Sequence, residues 1–335
     1  MTSAAPVYAF LERTCILVRT HDPTQAMVER ICAWALSAMS CNVGFAVSVD
    51  ATNPPGLAAA SLLREVLPLG AFVHLYTEAD LAAAYPVLQS ECIRSADNPS
   101  GGQWRAWGAH ARAWQPQNNG KSVAALWPAS LAWGFHAEAI NLFAQQSQIL
   151  TAFDYLWVLE DDVGFTGDLV REMCAAYVGD TADLISSEVE PIFRGGVSAS
   201  PWCWTNTGSN AFVALIPPHQ RCRSAEHVQR FSRRFLNSLH QLSVGCQVVV
   251  STGGDPQTIV GAPPSVSVSQ VAPMTAWSEM GVPTLCAYLG FSMSTLDAVH
   301  IGTPFRFDGR VSLQQWLALQ IAPETRCKLF HALKF

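Results

Sequence analysis

The chain has 335 residues, half of them hydrophobic and only 14% charged, with a net charge of −6. Those figures exclude a disordered chain, which lacks the apolar residues to build a core, and a general nucleic-acid binder, because phosphate backbones select basic surfaces. The length fits one enlarged α/β domain or two closely packed ones.

In chain order, residues 15–19 read as a short buried strand, stopped by Thr20-His21-Asp22-Pro23. Asp22 or Thr24 can cap the helix that follows, and Pro23 is tolerated in a first turn. Over residues 24–40, Met27, Ile31, Trp34, Ala35 and Ala38 recur at helical spacing. An apolar strand is predicted over 42–49, ending at Asp50 and a Thr-Asn-Pro-Pro-Gly turn. A helix over 56–67 and a third strand over 71–76 complete a strand–helix alternation at the tempo of βαβ units, which implies a parallel sheet. No G-x-G-x-x-G fingerprint accompanies it, which counts against a dinucleotide-binding dehydrogenase.

Residues 96–117 are rich in Gly, Trp and Pro, with Trp104, Trp107 and Trp114 interleaved with Arg105 and Arg112. They read as a covering loop whose tryptophans act as apolar plugs, with stacking on a sugar or base as the alternative. A helix is predicted over 130–146, a strand over 153–159, and a helix from Asp168 to about Tyr177. A further strand is predicted over 183–187, and a long amphipathic helix carrying several arginines over 225–242. Strands over 247–250 and 266–271, a helical region from 275 to 290 and a C-terminal helical segment complete the reading. The ten cysteines form no C-x-x-C pair, so zinc knuckles are not indicated. Cys203 with Cys222, or Cys32 with Cys41, read either as disulfide partners or as reduced buried residues. The N-terminus shows no signal-peptide pattern, and the uncharged stretches carry too many polar groups, prolines and glycines for a membrane span. A soluble chain is expected, cytoplasmic, or lumenal in the Golgi if an anchor lies outside it.

The chemistry concentrates at Glu160-Asp161-Asp162. Residues 155–159 before them are apolar at every position, as in a strand buried on both faces. Three acids at the end of such a strand lie on the carboxyl edge of the sheet, where open α/β folds bind ligands. Their repulsion has to be offset by a cation or by donors. A solvated acidic turn is the bland alternative. Carboxylate oxygens suit Mg²⁺ or Mn²⁺ carrying a diphosphate, with the ion neutralising the leaving phosphate. Transfer to a hydroxyl also needs a base. Glu279, a lone acid in the apolar run 277–285, reads equally as that base or as a helix N-terminal carboxylate. His300 reads as a structural histidine on its own terms, and as an imidazole ligand only in company.

Val-Leu-Glu-Asp-Asp-Val at 158–163, after a helix and an aromatic-rich strand, resembles the DxD-type motif of metal-dependent, nucleotide-sugar glycosyltransferases of the GT-A fold. The likeness is greatest to the N-acetylglucosaminyltransferase I type, where a Trp-containing helix like Ala132-Trp133-Gly134-Phe135 precedes Glu-Asp-Asp. The resemblance implies Asp162 as metal ligand, with Glu160 and Asp161 facing the donor, and Arg19, Thr20, His21 and Asp50 near the uridine. It further implies Glu279 as catalytic base with inversion, and His300 as a late metal ligand for Mn²⁺ or Mg²⁺. The expected fold is α/β, GT-A-like: a Rossmann-type, mostly parallel sheet flanked by helices, with a smaller mixed acceptor-side region. Expected divisions are a tail (1–13), a nucleotide-sugar half (14–187), an acceptor-side half (188–312) and a C-terminal helical segment (313–335). Expected partners are a nucleotide-sugar donor, UDP-linked before GDP-linked, and a glycan or other hydroxyl acceptor bound by loops at 195–215 and 252–275. The competing readings are a non-catalytic sugar-nucleotide or glycan-binding module, and another metal-dependent α/β enzyme such as a phosphohydrolase or nucleotidyltransferase, for which Asp22 would be the extra acid.

Overall fold

The computed structural model describes residues 13–85, 136–147, 149–191, 193–194, 197–198, 221–245, 248–249, 271–272, 279, 281–305 and 310–335. The Trp-rich stretch 96–117, residues 130–135 and the expected acceptor loops, apart from Val197–Ser198 and Val271–Ala272, lie outside the described residues.

Strand β1 (Thr14–Thr20) is buried along its whole length. Thr24 then caps α1 (Gln25–Ser40), its hydroxyl accepting from the Met27 amide, so of the two candidate caps Thr24 is used and Asp22 is not. β2 (Gly44–Asp50), α2 (Pro54–Val66), β3 (Phe72–Tyr76) and α3 (Glu78–Ala84) follow. Gly56 at the start of α2 packs so closely under β2 that a Cβ would overlap the Asp50 carbonyl. After α4 (His136–Gln146) come β4 (Tyr155–Glu160), β5 (Gly164–Phe165) and a π-helical turn, Leu169–Cys174, capped by Asp168. The chain continues through β6 (Leu184–Pro191), β7 (Cys222–Ser232), α5 (Arg233–Gly245), α6 (Gly281–Tyr288), β8 (Met293–Thr295), β9 (Ile301–Phe305), α7 (Leu313–Ile321) and β10 (Leu329–His331).

Seven strands form one sheet in the order β8-β6-β7-β4-β1-β2-β3. All neighbours run parallel except β7, which is antiparallel to both β4 and β6. One face carries Ile16, Val18, Val47, Trp157 and Leu159 against α1, α2 and the π-helical turn. The other carries Cys15, Leu17, Leu156, Val158 and Phe231 against α4, α5 and α6. A smaller sheet, β9-β10-β5, packs against the same core through Phe165, Phe305 and Leu329. The fold class is therefore the expected one, a mostly parallel Rossmann-type sheet flanked by helices with a smaller second sheet. Among the described residues, no helix is long and apolar enough to cross a membrane.

Two segments differ from the sequence reading. Residues 225–232, predicted helical, make up most of strand β7, and the helix begins only at Arg233. The arginines and glutamine there suggested the polar face of a helix, but Arg230 is 1% exposed and Gln229 is 0% exposed. The Arg230 guanidinium donates to the carbonyls of Tyr177 (2.8 Å), Asp180 (2.6 Å) and Ala182 (3.1 Å) and lies 4.3 Å over the Tyr155 ring. Tertiary partners thus satisfy polar groups on a strand that is buried almost throughout. The C-terminal segment is not wholly helical either, since β10 follows α7 and pairs with β9 and β5. Cys32 and Cys41 are free thiols, so the Cys32–Cys41 alternative is a reduced pair, while Cys203 of the other alternative lies outside the described residues.

Candidate active site at the carboxyl edge of the sheet

Strand register builds the site. Arg19 on β1 aligns with Glu160 on β4, and on β2 with Ser48. The next pair along β4 and β7 after Leu159–Val228 brings Glu160 beside His227. Arg19, Glu160 and His227 thus form one row across three strands at the carboxyl ends of β1 and β4. The turn after β4 continues through Asp161 and Asp162, held by the Val163 amide donating to the Glu160 carbonyl at 3.2 Å.

Each acid has its own partners. Glu160 accepts from His227 Nδ1 at 2.7 Å, with His331 Nε2 at 3.5 Å and Arg19 Nη2 at 3.7 Å. Burial alone would raise its pKa, but His227, His331 and Arg19 hold it well below the carboxylate range. Asp161 has the opposite balance: burial, Asp162 and Glu160 push it up to about 7, against the Thr20 hydroxyl that donates to it and the nearby Arg30. Arg30 also anchors the turn, its Nη2 donating to the Asp161 carbonyl at 2.7 Å. Asp162 faces His331 Nε2 at 3.2 Å and Lys334 Nζ at 3.5 Å, and its carbonyl accepts from the Leu333 amide at 2.7 Å.

The segment carrying His331 reaches the acids because β10 pairs with β5, the strand just beyond them. Leu333 and Trp316 pack onto Gly164, where a Cβ would come within 2.5 Å of Leu333. The His227 and His331 rings stack, centroids 3.6 Å apart and 18° from parallel, with Phe305 edge-on to both. Among the described residues, Glu160, His227 and His331 are the group whose ligand atoms come within 4.8 Å of one another. One carboxylate oxygen and two imidazole nitrogens make a donor set suited to a first-row transition ion.

The predicted site residues fall out as follows. Arg19, Thr20, Glu160, Asp161 and Asp162 lie together at this edge. Asp50 is buried at the end of β2, accepting from the Thr52 amide at 3.0 Å. His21 lies near enough to Asp50, Arg19 and Asp162 to feel their charges, with burial lowering its pKa. Glu279 is buried, and its carbonyl accepts from the Ser224 amide at 2.8 Å, which sets it at the start of β7. Its charge reaches Glu226, a buried carboxyl that burial, Glu279 and Glu160 push well up. His300 is not brought to Asp162. Its Nδ1 shares a hydrogen bond with the Tyr177 hydroxyl at 2.9 Å, and the charges that act on it are those of Asp297 and Lys328. The late histidine beside the acids is His331.

Sequence reasoning missed His136, Glu226, His227 and His331. The Glu226-His227 pair falls in a segment predicted helical, and His331 in the expected helical tail. The available signal was alternation along β7, where His227, Gln229 and Phe231 share a face.

No protein-family model and no curated protein matches the sequence. Among solved structures, the mannosyltransferase Ktr4p from S. cerevisiae in complex with GDP is similar at 12% identity with a TM-score of 0.35, over 68% of this chain and 58% of that one. A second structure of Ktr4p is similar at 10% identity with a TM-score of 0.32, over 69% and 59%. The matched part spans less than two thirds of either mannosyltransferase chain.

Proposed function

We propose that this chain is a glycosyltransferase that moves a sugar from a nucleotide-diphosphate donor to a hydroxyl acceptor with the help of a divalent cation. The observation that supports it is the convergence of Arg19, Thr20, Glu160, Asp161, Asp162, His227 and His331 on one carboxyl edge, at the end of a strand buried on both faces. Open parallel sheets bind their ligands at that edge. The acid motif at residues 160–162 resembles that of metal-dependent GT-A enzymes, and it stands there with two imidazoles beside it.

Glu160, His227 and His331 would hold the cation, with Asp162 at its margin. Two nitrogen donors favour Mn²⁺ over Mg²⁺, which prefers an all-oxygen shell. When bound, the ion supplies neutralisation of the leaving diphosphate. The chain's own residues do the rest. Arg19 and Thr20 fix the Glu160 and Asp161 carboxylates, while Asp50 and His21 flank the nucleotide side. Glu279, buried beside a second carboxyl at Glu226, is the proposed base that takes the acceptor's proton, giving direct displacement with inversion.

Donor turnover with a panel of UDP- and GDP-sugars and Mn²⁺ tests this. Glu279→Gln should abolish turnover and leave donor binding in place. A wild-type chain with neither turnover nor Mn²⁺-dependent nucleotide binding across the panel would rule the proposal out. Donor binding without turnover would instead favour a non-catalytic sugar-nucleotide module.

A further inference from the structure

We infer that His136, with Gln229 beneath it, is a positioning residue that aims the Arg19 guanidinium at Glu160 and so decides which carboxylate oxygen faces the two imidazoles. This rests on the proposed cation site and adds to it two residues that would not touch ion or substrate.

The hydrogen bonds have a forced direction. Arg19 Nη1 bonds His136 Nδ1, and a guanidinium can only donate. Nδ1 therefore carries the lone pair, and the ring hydrogen sits on Nε2, which donates to Gln229 Oε1 at 2.9 Å. The Gln229 amide in turn donates to Ser224 Oγ at 3.3 Å. The chain Arg19 to His136 to Gln229 to Ser224 thus runs one way, linking β1, the first residue of α4, and β7.

All three of its principal members are buried: Arg19 at 5%, His136 at 1% and Gln229 at 0% exposure. Burial and the Arg19 charge both hold the imidazole neutral, well below its ordinary pKa. Glu226 Oε2 stands 3.7 Å from the same nitrogen, and Glu160 and His227 also act on the ring electrostatically. Among the described residues, Arg19 Nε has no hydrogen-bond partner. The guanidinium is oriented there through its Nη atoms: Nη1 on the imidazole, Nη2 towards Glu160 Oε1 at 3.7 Å. With Oε1 turned to Arg19, Oε2 is the oxygen presented to His227 at 2.7 Å and His331 at 3.5 Å.

Two measurements test this on the full chain. In ¹⁵N NMR of the unloaded protein, His136 should show a protonated Nε2 and a bare Nδ1; a protonated Nδ1 would overturn the inference. Mn²⁺ titration, followed by loss of the free-ion paramagnetic resonance signal, then compares variants. His136→Phe keeps the bulk and removes the acceptor, and should weaken Mn²⁺ roughly 10-fold or more, in the range of losses seen when outer-shell partners are removed. His136→Asn, whose amide oxygen can stand where Nδ1 does, should stay near wild type, a rescue that a space-filling role does not predict. Gln229→Leu, should His136→Phe fail to fold, removes the acceptor for Nε2–H and should both mix the tautomers and weaken Mn²⁺. Folded His136→Phe binding Mn²⁺ like wild type would refute the positioning role. Failure of the wild type to bind Mn²⁺ would refute the proposed function instead, and the tautomer result would still decide the direction of the hydrogen-bond chain.

Discussion

Strands β1 and β7 lie on either side of β4, and both are almost wholly buried. They are buried by different means. β1 runs Cys15-Ile16-Leu17-Val18, each 0% exposed, and is held by apolar packing on both faces of the sheet. β7 buries Ser224, Glu226, His227, Gln229, Arg230 and Ser232, and is held by directed hydrogen bonds. Apolar burial tolerates many neighbours, whereas polar burial requires specific ones. The site grows where these two kinds of strand flank a third.

The largest effect of breaking this contrast is expected at Arg230. Arg230→Ala strips the donor from the carbonyls of Tyr177, Asp180 and Ala182. At about 1–3 kcal/mol for each buried group left unsatisfied, less whatever water recovers, denaturant unfolding should show a loss of about 4 kcal/mol. On the apolar side, Leu17→Ala should cost about 3 kcal/mol by the same measurement, within the usual range for buried leucines. A small effect at Arg230 and a large one at Leu17 would mean that β7 is held by packing after all.

Asp183 comes next. It bonds Arg234 (Nε and Nη2, both at 2.5 Å), Ser232 Oγ (2.6 Å) and the Ser292 amide (3.0 Å), joining the ends of β6 and β7 to the entry of β8. Burial would raise its pKa, but Arg234, Ser232 and Ser292 lower it from the ordinary 3.8 to about 2. A folded pKa below the unfolded one contributes stability that is fully present above about pH 4 and is lost as pH falls through about 2. The contribution is about 2 kcal/mol, at 1.36 kcal/mol per unit. Asp183→Asn should lower stability at pH 7 by about that much and flatten the acid limb of the stability profile between pH 4 and pH 2. An unchanged acid limb would show that other carboxyls set it. The smallest effect is expected at the rim. Lys334 is 65% exposed and 3.5 Å from Asp162, so Lys334→Ala should cost well under about 1 kcal/mol.

The same contrast explains what was legible in the sequence. The parallel half, β1 to β3 with α1 and α2, announces itself through apolar runs, helical spacing and a capping signal at Asp22 or Thr24, because apolar burial writes its pattern locally. Glu160-Asp161-Asp162 was legible for a related reason: three acids against an apolar strand stand out. β7 was not, because the groups that make its polar residues buryable are remote in sequence: the Tyr177 and Ala182 carbonyls, His136 and Glu160. His331 was hidden too, since only the pairing of β10 with β5 carries it back to the acids across some 170 residues. The imidazole that stands beside the acids is thus His331, whereas His300 bonds the Tyr177 hydroxyl.

The central claim is that a cation belongs among Glu160, His227 and His331. Crystals soaked with Mn²⁺ and measured at the manganese absorption edge test it most directly. The account predicts an anomalous peak within bonding distance of the Glu160 carboxylate and of both His227 and His331. A peak elsewhere, such as one joining Asp162 to other oxygens away from the stacked imidazoles, or no peak at all from a well-soaked crystal, would contradict it.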